Sequence, residues 1–249
     1  MKGEGAWYAQ GGSKARELYT IIHLPYTSMV LSYVLIGAAL SPYFYPERVV
    51  LTLLAYFLGL GLSAHALNEL HASHWVEILS RRELETLFVV PFIGAISVGA
   101  YGMEMLYTSS KNVLAPLVLL GFIVLETFFL FAYNLDLWSG KFHNDSSFAL
   151  SWGALPTMIS FYANASTITV VAVLVSVATA ATAAVEINLS RWCKDFRRRK
   201  LLTELRFEDN TKLNLSTAEL IGKPEKALKL IVVTVDLIAI ALTVHKLLP

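Results

Sequence analysis

The stretch Val49-Val50-Leu51-Thr52-Leu53-Leu54-Ala55-Tyr56-Phe57-Leu58-Gly59-Leu60-Gly61-Leu62-Ser63-Ala64-His65-Ala66-Leu67, followed at once by Asn68-Glu69-Leu70-His71-Ala72-Ser73-His74, decides how the chain is read. An apolar run of this length, with no formal charge, is long enough to cross the hydrocarbon core of a bilayer as a helix. Ionisable groups at the edge of such a span are costly, so their presence marks a candidate site. Three of the six histidines fall here. His65, Asn68 and Glu69 share one helical face by their i, i+3 and i+4 spacing, while His71 and His74 share another. The first group points at one ligand. The second, with Glu77, Arg81 and Arg82, reads as the solvated face of a cytoplasmic helix.

Working outward, hydrophobic residues make up 55% and charged residues 16% of the 249-residue chain, and the mean hydropathy is +0.56. Soluble domains carry about 25% charge, so the expectation is an integral membrane protein. Further apolar runs lie at Tyr19–Leu40, Leu87–Leu106, Val113–Leu135, Phe148–Tyr162, Thr167–Ile187 and Ala227–Leu248. The predicted fold is an all-α polytopic bundle of about seven transmembrane helices. The Phe148–Tyr162 run is the shortest and carries Trp152 and Pro156, which predicts a tilted or broken span. Gly37-Ala38-Ala39 faintly resembles a signal-peptide cleavage site, but the length of its run and Pro25 favour a retained helix.

With the N-terminus placed in the cytoplasm, all of the 20 Lys and Arg residues fall inside except Arg48, Lys111 and Lys246. That positive-inside bias predicts N-terminus in and C-terminus out, in a multi-pass cell-membrane protein. It divides the chain into a cytoplasmic segment, 1–18, and one transmembrane domain, 19–249, with cytoplasmic loops at 69–86, 136–147 and 188–226. His23, His65, His71, His74 and His143 then lie on the cytoplasmic side, where one inward-opening cavity could gather them. The single cysteine, Cys193, excludes an internal disulfide and a multi-cysteine metal site. No nucleic-acid motif is present, so the expected partners are membrane lipids and a lipophilic substrate.

A second polar cluster, Tyr133-Asn134-Leu135-Asp136-Leu137-Trp138-Ser139-Gly140-Lys141-Phe142-His143-Asn144-Asp145, ends the fourth run and leads into Trp152-Gly153-Ala154-Leu155-Pro156. Its mix of carboxylates, a histidine, a lysine and aromatic rings suits an anionic head group or a metal. Asn144, Asp145 and Ser146 are equally good helix caps, and Tyr133 and Trp138 good interfacial anchors. Glu126 sits among apolar neighbours within a span, either at a site or hydrogen-bonded to a neighbouring helix. Glu186 ends the sixth run, and the basic residues after it, including Arg197 and Arg198, read first as a topology determinant on anionic lipid heads. They could also attract a diphosphate. Mixed ligation by His65, Glu69, Glu126, His143, Asp145 and Glu186 would suit iron or zinc.

These clusters resemble the UbiA-type superfamily of intramembrane prenyltransferases. Leu24-Pro25 is similar to that family's opening helix. Ala64-His65-Ala66-Leu67-Asn68-Glu69-Leu70-His71-Ala72 stands where the family carries Asn-Asp-x-x-Asp-x-x-x-Asp, with every aspartate replaced. Tyr133-Asn134-Leu135 and Lys141, followed by Gly153-Ala154-Leu155-Pro156, resemble the family's Tyr-x-x-x-Lys region and its Gly-Ala-x-Pro helix, with the lysine shifted. The family's second acidic motif falls near Glu186. The resemblance covers roughly residues 15 to 200 and implies a lipid-accessible cavity on the cytoplasmic side. It also implies transfer of a prenyl group from an isoprenoid diphosphate to a lipophilic acceptor, with magnesium or manganese bound. In these terms Asn68, Glu69 and Glu186 would hold the metal-diphosphate, Tyr133 and Lys141 would serve the chemistry, and Lys141, Arg197 and Arg198 would neutralise charge. Two alternatives remain open: a transition-metal oxidoreductase acting on a lipid or quinone, possibly with a di-iron centre, and a non-catalytic membrane subunit or lipid-binding protein.

Overall fold

The computed structural model describes residues 6–9, 11–71, 76–198, 203–206 and 208–248. Helix α1 (Lys14–Ile22) and helix α2 (Leu24–Leu40) are separated by His23, whose left-handed φ of 48° bends the pair by 43°. The cause is local. The His23 amide caps α1 on the Thr20 carbonyl, and Pro25 starts α2 in its first turn, where its missing N–H costs nothing. Ser13 caps the other end of α1.

The central helix is α2. Met29, Tyr33, Val34 and Ala38 are almost fully buried, and residues on all its faces are covered, as expected of a helix enclosed by others. Around it stand α3 (Pro46–Tyr56), α4 (His65–His71), α5 (Arg81–Ser110), α6 (Leu114–Asn134), α8 (Asp145–Ala149), α9 (Leu155–Ala165), α10 (Val170–Arg198) and α11 (Thr217–Leu247). Between α6 and α8, α7 (Leu137–Gly140) is one turn, with Trp138 and Ser139 at positive φ. A short antiparallel hairpin pairs β1 (Thr203–Arg206) with β2 (Lys212–Leu215).

Among the described residues, five helices are long and apolar enough to cross a membrane, six if the bent α1–α2 pair counts as one span. The Phe148–Tyr162 run forms a helix throughout, within Asp145–Ala165, but is not among these five. Large apolar side chains project outward from several of the five, among them Val90 and Ile93 on α5, Val124 on α6, Leu174 on α10 and Leu237 on α11. Such surface is far more than a water-soluble monomer leaves uncovered. Helices also extend beyond the apolar runs. Capping boxes at Ser80/Glu83 and Ser216/Glu219 start α5 and α11 inside the expected loops 69–86 and 188–226, and α10 continues to Arg198. Those loops are therefore partly helical, because charged turns hold helix geometry once capped.

Two π-helical segments interrupt the bundle: Phe57–Ala64, joining α3 to α4, and Leu150–Ala154, joining α8 to α9. A π segment frees backbone groups that need other partners. In the second segment the Gly153 carbonyl accepts from the Thr157 and Thr179 hydroxyls, at 3.1 and 3.0 Å. A Cβ on Gly153 would stand 2.6 Å from the Thr179 carbonyl oxygen, so only glycine lets α10 approach this closely. Thr179→Val is expected to cost about 1 kcal/mol of stability, because Thr157 still serves the carbonyl. Thermal unfolding of the single and double Thr→Val variants would check this, with a greater-than-additive loss expected in the double.

Candidate functional site

At the end of the bundle where α1 meets α2 and α4 ends, a cavity of about 290 Å³ opens between α1–α2, α4, α6, the second π segment, α10 and α11. The wide turns deliver its wall. The first π segment ends at His65 and the second carries Trp152, and these two rings meet at 5.0 Å between centroids. His23, fixed at the helix break by its Nδ1 on the Ile21 carbonyl (2.8 Å), stacks on His65 at 4.2 Å. Trp152 stacks on Phe148 at 5.2 Å, Phe148 meets Tyr133 at 6.0 Å, and Tyr133 stacks on His143 at 4.3 Å. Six rings thus form a continuous aromatic wall. Tyr26 closes it from α2, with its edge on Phe148 and its hydroxyl donating to Ser190.

Opposite the rings stands a basic face of α10. Ser190, Arg191, Lys194 and Arg197 recur at helical spacing and line the cavity, whose wall contains no carboxylate among the described residues. Arg191 is held by Asp145 and by the Tyr133 hydroxyl, at 3.1 Å from the latter. Arg197 is held by Glu225, which Lys229 also contacts at 2.6 Å. The N-terminal residues Ala6, Trp7 and Tyr8 complete the wall, and the Lys229 ammonium lies over the Trp7 ring at 4.7 Å. Burial, with Tyr26 and Glu186 nearby, holds the Tyr8 phenol well above its ordinary pKa, so it stays a neutral hydrogen-bond donor.

The loop beside the cavity is strained. Asp136, Trp138 and Ser139 all take positive φ, which costs non-glycine residues free energy and concentrates at functional sites. Asp136 is thereby turned toward two histidines, with Oδ1 2.7 Å from His143 Nδ1 and Oδ2 3.8 Å from His71 Nε2.

Of the residues read from the sequence, His65, Asn68, Tyr133, His143 and Arg197 line this cavity. Others lie elsewhere. Glu69 is buried, and its carboxylate accepts from the Val76 amide at 3.1 Å, which turns it toward the following loop rather than the wall. The shared face of His65, Asn68 and Glu69 is thus divided: i and i+3 reach the cavity, and i+4 does not. Lys141 is exposed outside the wall. Asp145 stands behind Arg191 as its counter-charge. Glu186 is buried beyond the wall, with one carboxyl oxygen unpartnered among the described residues. Glu126 lies in a different cavity altogether. The side chain of Arg198 and all of His74 lie outside the described residues.

The six ligand candidates are therefore dispersed. Among the described residues no three His, Cys, Asp or Glu side chains converge as a metal site. The donor set that a magnesium-diphosphate site needs, several carboxylate oxygens at one point, is not assembled by the described residues of the cavity wall. Its charge is supplied by arginine and lysine instead. Sequence reading missed Tyr8, Tyr26 and Phe148, although the i, i+4 pair Phe148 and Trp152 beside a Gly-Ala-Leu-Pro stretch carried a signal. Comparison with family models, curated proteins and solved structures finds no match.

Proposed function

We propose that this chain is a UbiA-like integral membrane enzyme that takes the head of an isoprenoid diphosphate in the cationic cavity and transfers the prenyl group to a lipophilic acceptor. In this reading seven spans place the cavity at the cytoplasmic face, with the N-terminus in and the C-terminus out. One observation carries it: a wall whose described residues include three basic side chains, no carboxylate and a continuous run of aromatic rings. Arginine and lysine suit phosphate oxygens. Aromatic faces suit both a prenyl chain and the positive charge that grows on an allylic carbon.

In the proposed step the bond between the allylic carbon and the diphosphate oxygen breaks, and diphosphate leaves with the electron pair. Arg191, Lys194 and Arg197 stabilise that charge as it develops. Trp152, Phe148, Tyr26 and Tyr133 face the carbocation and exclude water. The acceptor's nucleophilic atom bonds to the carbon and gives up its proton to the departing diphosphate. No step is assigned to a metal, since the described wall offers no carboxylate ligands.

The test uses the full chain in liposomes with geranylgeranyl diphosphate and a mixture of lipophilic phenols. Release of pyrophosphate together with a prenylated product is the expected result. Arg191→Gln and Lys194→Gln should each weaken diphosphate binding about tenfold, roughly 1.4 kcal/mol. Neither binding nor release with wild-type protein would overturn the reading, whereas binding without release would leave only a lipid-phosphate-binding role.

A further inference from the structure

A second cavity, of about 130 Å³, lies between α3, the first π segment, α5, α6 and α9, and shares no lining residue with the first. It is open on one side, and its walls are largely apolar, with Leu60, Phe92, Ile96, Leu119, Ile123 and Leu130 among them. Small residues make the room. A Cβ on Gly102 would meet Leu119 at 3.7 Å, and one on Gly59 would meet Ala95 at 3.6 Å, both ordinary contacts, whereas one on Gly99 would crowd the Ile123 side chain at 2.9 Å. Arg48, at one end, is already engaged by the Ala163 carbonyl (2.9 Å) and the Ser109 hydroxyl (2.7 Å).

Among the described lining residues one buried polar atom remains unsatisfied. The Tyr56 hydroxyl donates to Glu126 Oε1 at 2.7 Å, which fixes the carboxyl group, while Oε2 is shielded from solvent without a hydrogen-bond partner among the described residues. A buried carboxyl oxygen in that state is unfavourable, and turning the carboxyl group toward the cavity that Glu126 lines would let a ligand atom stabilise it. A hydroxyl group fits it in either protonation state, because it donates to a carboxylate oxygen or accepts from a carboxylic acid. A carbonyl could only accept, and a hydrocarbon could do neither. The open, apolar side gives the rest of such a molecule a route to the lipid-facing surface.

We propose that this cavity is a binding site for a lipophilic alcohol, its hydroxyl on Glu126 Oε2 and its apolar body among α3, α5 and α6. The proposal does not depend on prenyl transfer. The experiment therefore reads occupancy and not turnover. The full chain in nanodiscs of neutral phospholipid is labelled with dodecanol carrying a mid-chain diazirine, and with the matching alkane and methyl ether. Mass spectrometry then locates the adducts. Expected is labelling of the lining residues of α5 or α6 by the alcohol probe, suppressed by excess dodecanol and not by dodecane. It should fall about fivefold or more in Glu126→Leu and in the cavity-filling Gly102→Val and Ala95→Leu. Glu126→Gln keeps a donor and an acceptor and should retain labelling, which separates loss of the site from loss of the fold. Equal labelling by the alkane and ether probes, or undiminished labelling in Gly102→Val, would overturn the proposal.

Discussion

Gly37→Ala is expected to destabilise the protein by about 3 kcal/mol or more, although it adds only one methyl group. A Cβ at position 37 would stand 2.2 Å from the Thr157 carbonyl oxygen and 2.9 Å from its carbon, both backbone atoms of α9. Backbone cannot swing aside as a flexible side chain can. To reach ordinary contact, α2 and α9 would have to part by roughly 1 Å, and close-packed interiors resist such shifts. The separation would spread, because α2 is the central helix and Ala38 and Ala39 beside Gly37 are also buried. Thermal unfolding in detergent or nanodiscs measures it. Gly121→Ala on α6 is the control, since a Cβ there meets nothing within 4 Å. If the two alanine variants melt together, the proximity of α2 and α9 does not govern stability.

Removal of the Glu17 carboxylate is expected to have a comparable effect at the other end of the bundle. Glu17 is only 1% exposed, and its two oxygens accept the backbone amides of Glu77, Ile78 and Leu79 at 2.8 to 3.0 Å. Three amides would lose their partner together in Glu17→Ala. An unsatisfied buried amide costs about 1 to 3 kcal/mol, and water reaching the exposed Glu77 and Ile78 offsets part, while Leu79 is buried, so the expected loss is about 3 kcal/mol. It should be local before it is global. The same carboxylate anchors the segment that leads into the Ser80 cap of α5, and Lys14 on α1 reaches Glu83 of that cap at 2.6 Å. Hydrogen exchange at residues 76–80 should therefore accelerate ahead of the remaining amides. Glu17→Gln keeps one acceptor oxygen and should fall between wild type and alanine. Unchanged exchange in Glu17→Ala would sink the idea.

Much of the scaffold was legible because apolar runs announce long helices. Pro46–His71, Arg81–Ser110 and Leu114–Asn134 contain or closely match the runs at Val49–Leu67, Leu87–Leu106 and Val113–Leu135. Their ends were not, because helix geometry continues into charged turns wherever a serine and a glutamate three positions on can cap it. Glu17 gave no sign at all. Its partners are main-chain amides about sixty residues away, and no side-chain pattern records that. The small residues of Gly37-Ala38-Ala39, which also resemble a cleavage site, serve a close crossing of α2 and α9.

The candidate site was half legible for a related reason. Periodicity placed His65 and Asn68 on one face, and α4 keeps the 3.6-residue turn that this assumes, but a shared face does not decide what each side chain reaches. The same assumption put Glu69 with them, whereas the structure gives it to the Val76 amide. Glu126 lines an apolar cavity, and Glu186 is buried where the sixth run ends. Which cavity each would serve depends on helix packing that one sequence does not encode locally.

The wide turn at Phe57–Ala64 acts as a length setting for the whole strand of chemistry that follows it. The segment already holds the extra residue that a wide turn absorbs, so inserting one more there would leave a span still long enough for a bilayer but exceed what that turn can take up. Everything beyond it would be rotated by about 100° and advanced by about 1.5 Å. His65 would leave Trp152, Asn68 would leave the wall, and the two rings that meet there would face different neighbours. Insertion, rather than substitution, is thus the change to which this cavity is most vulnerable.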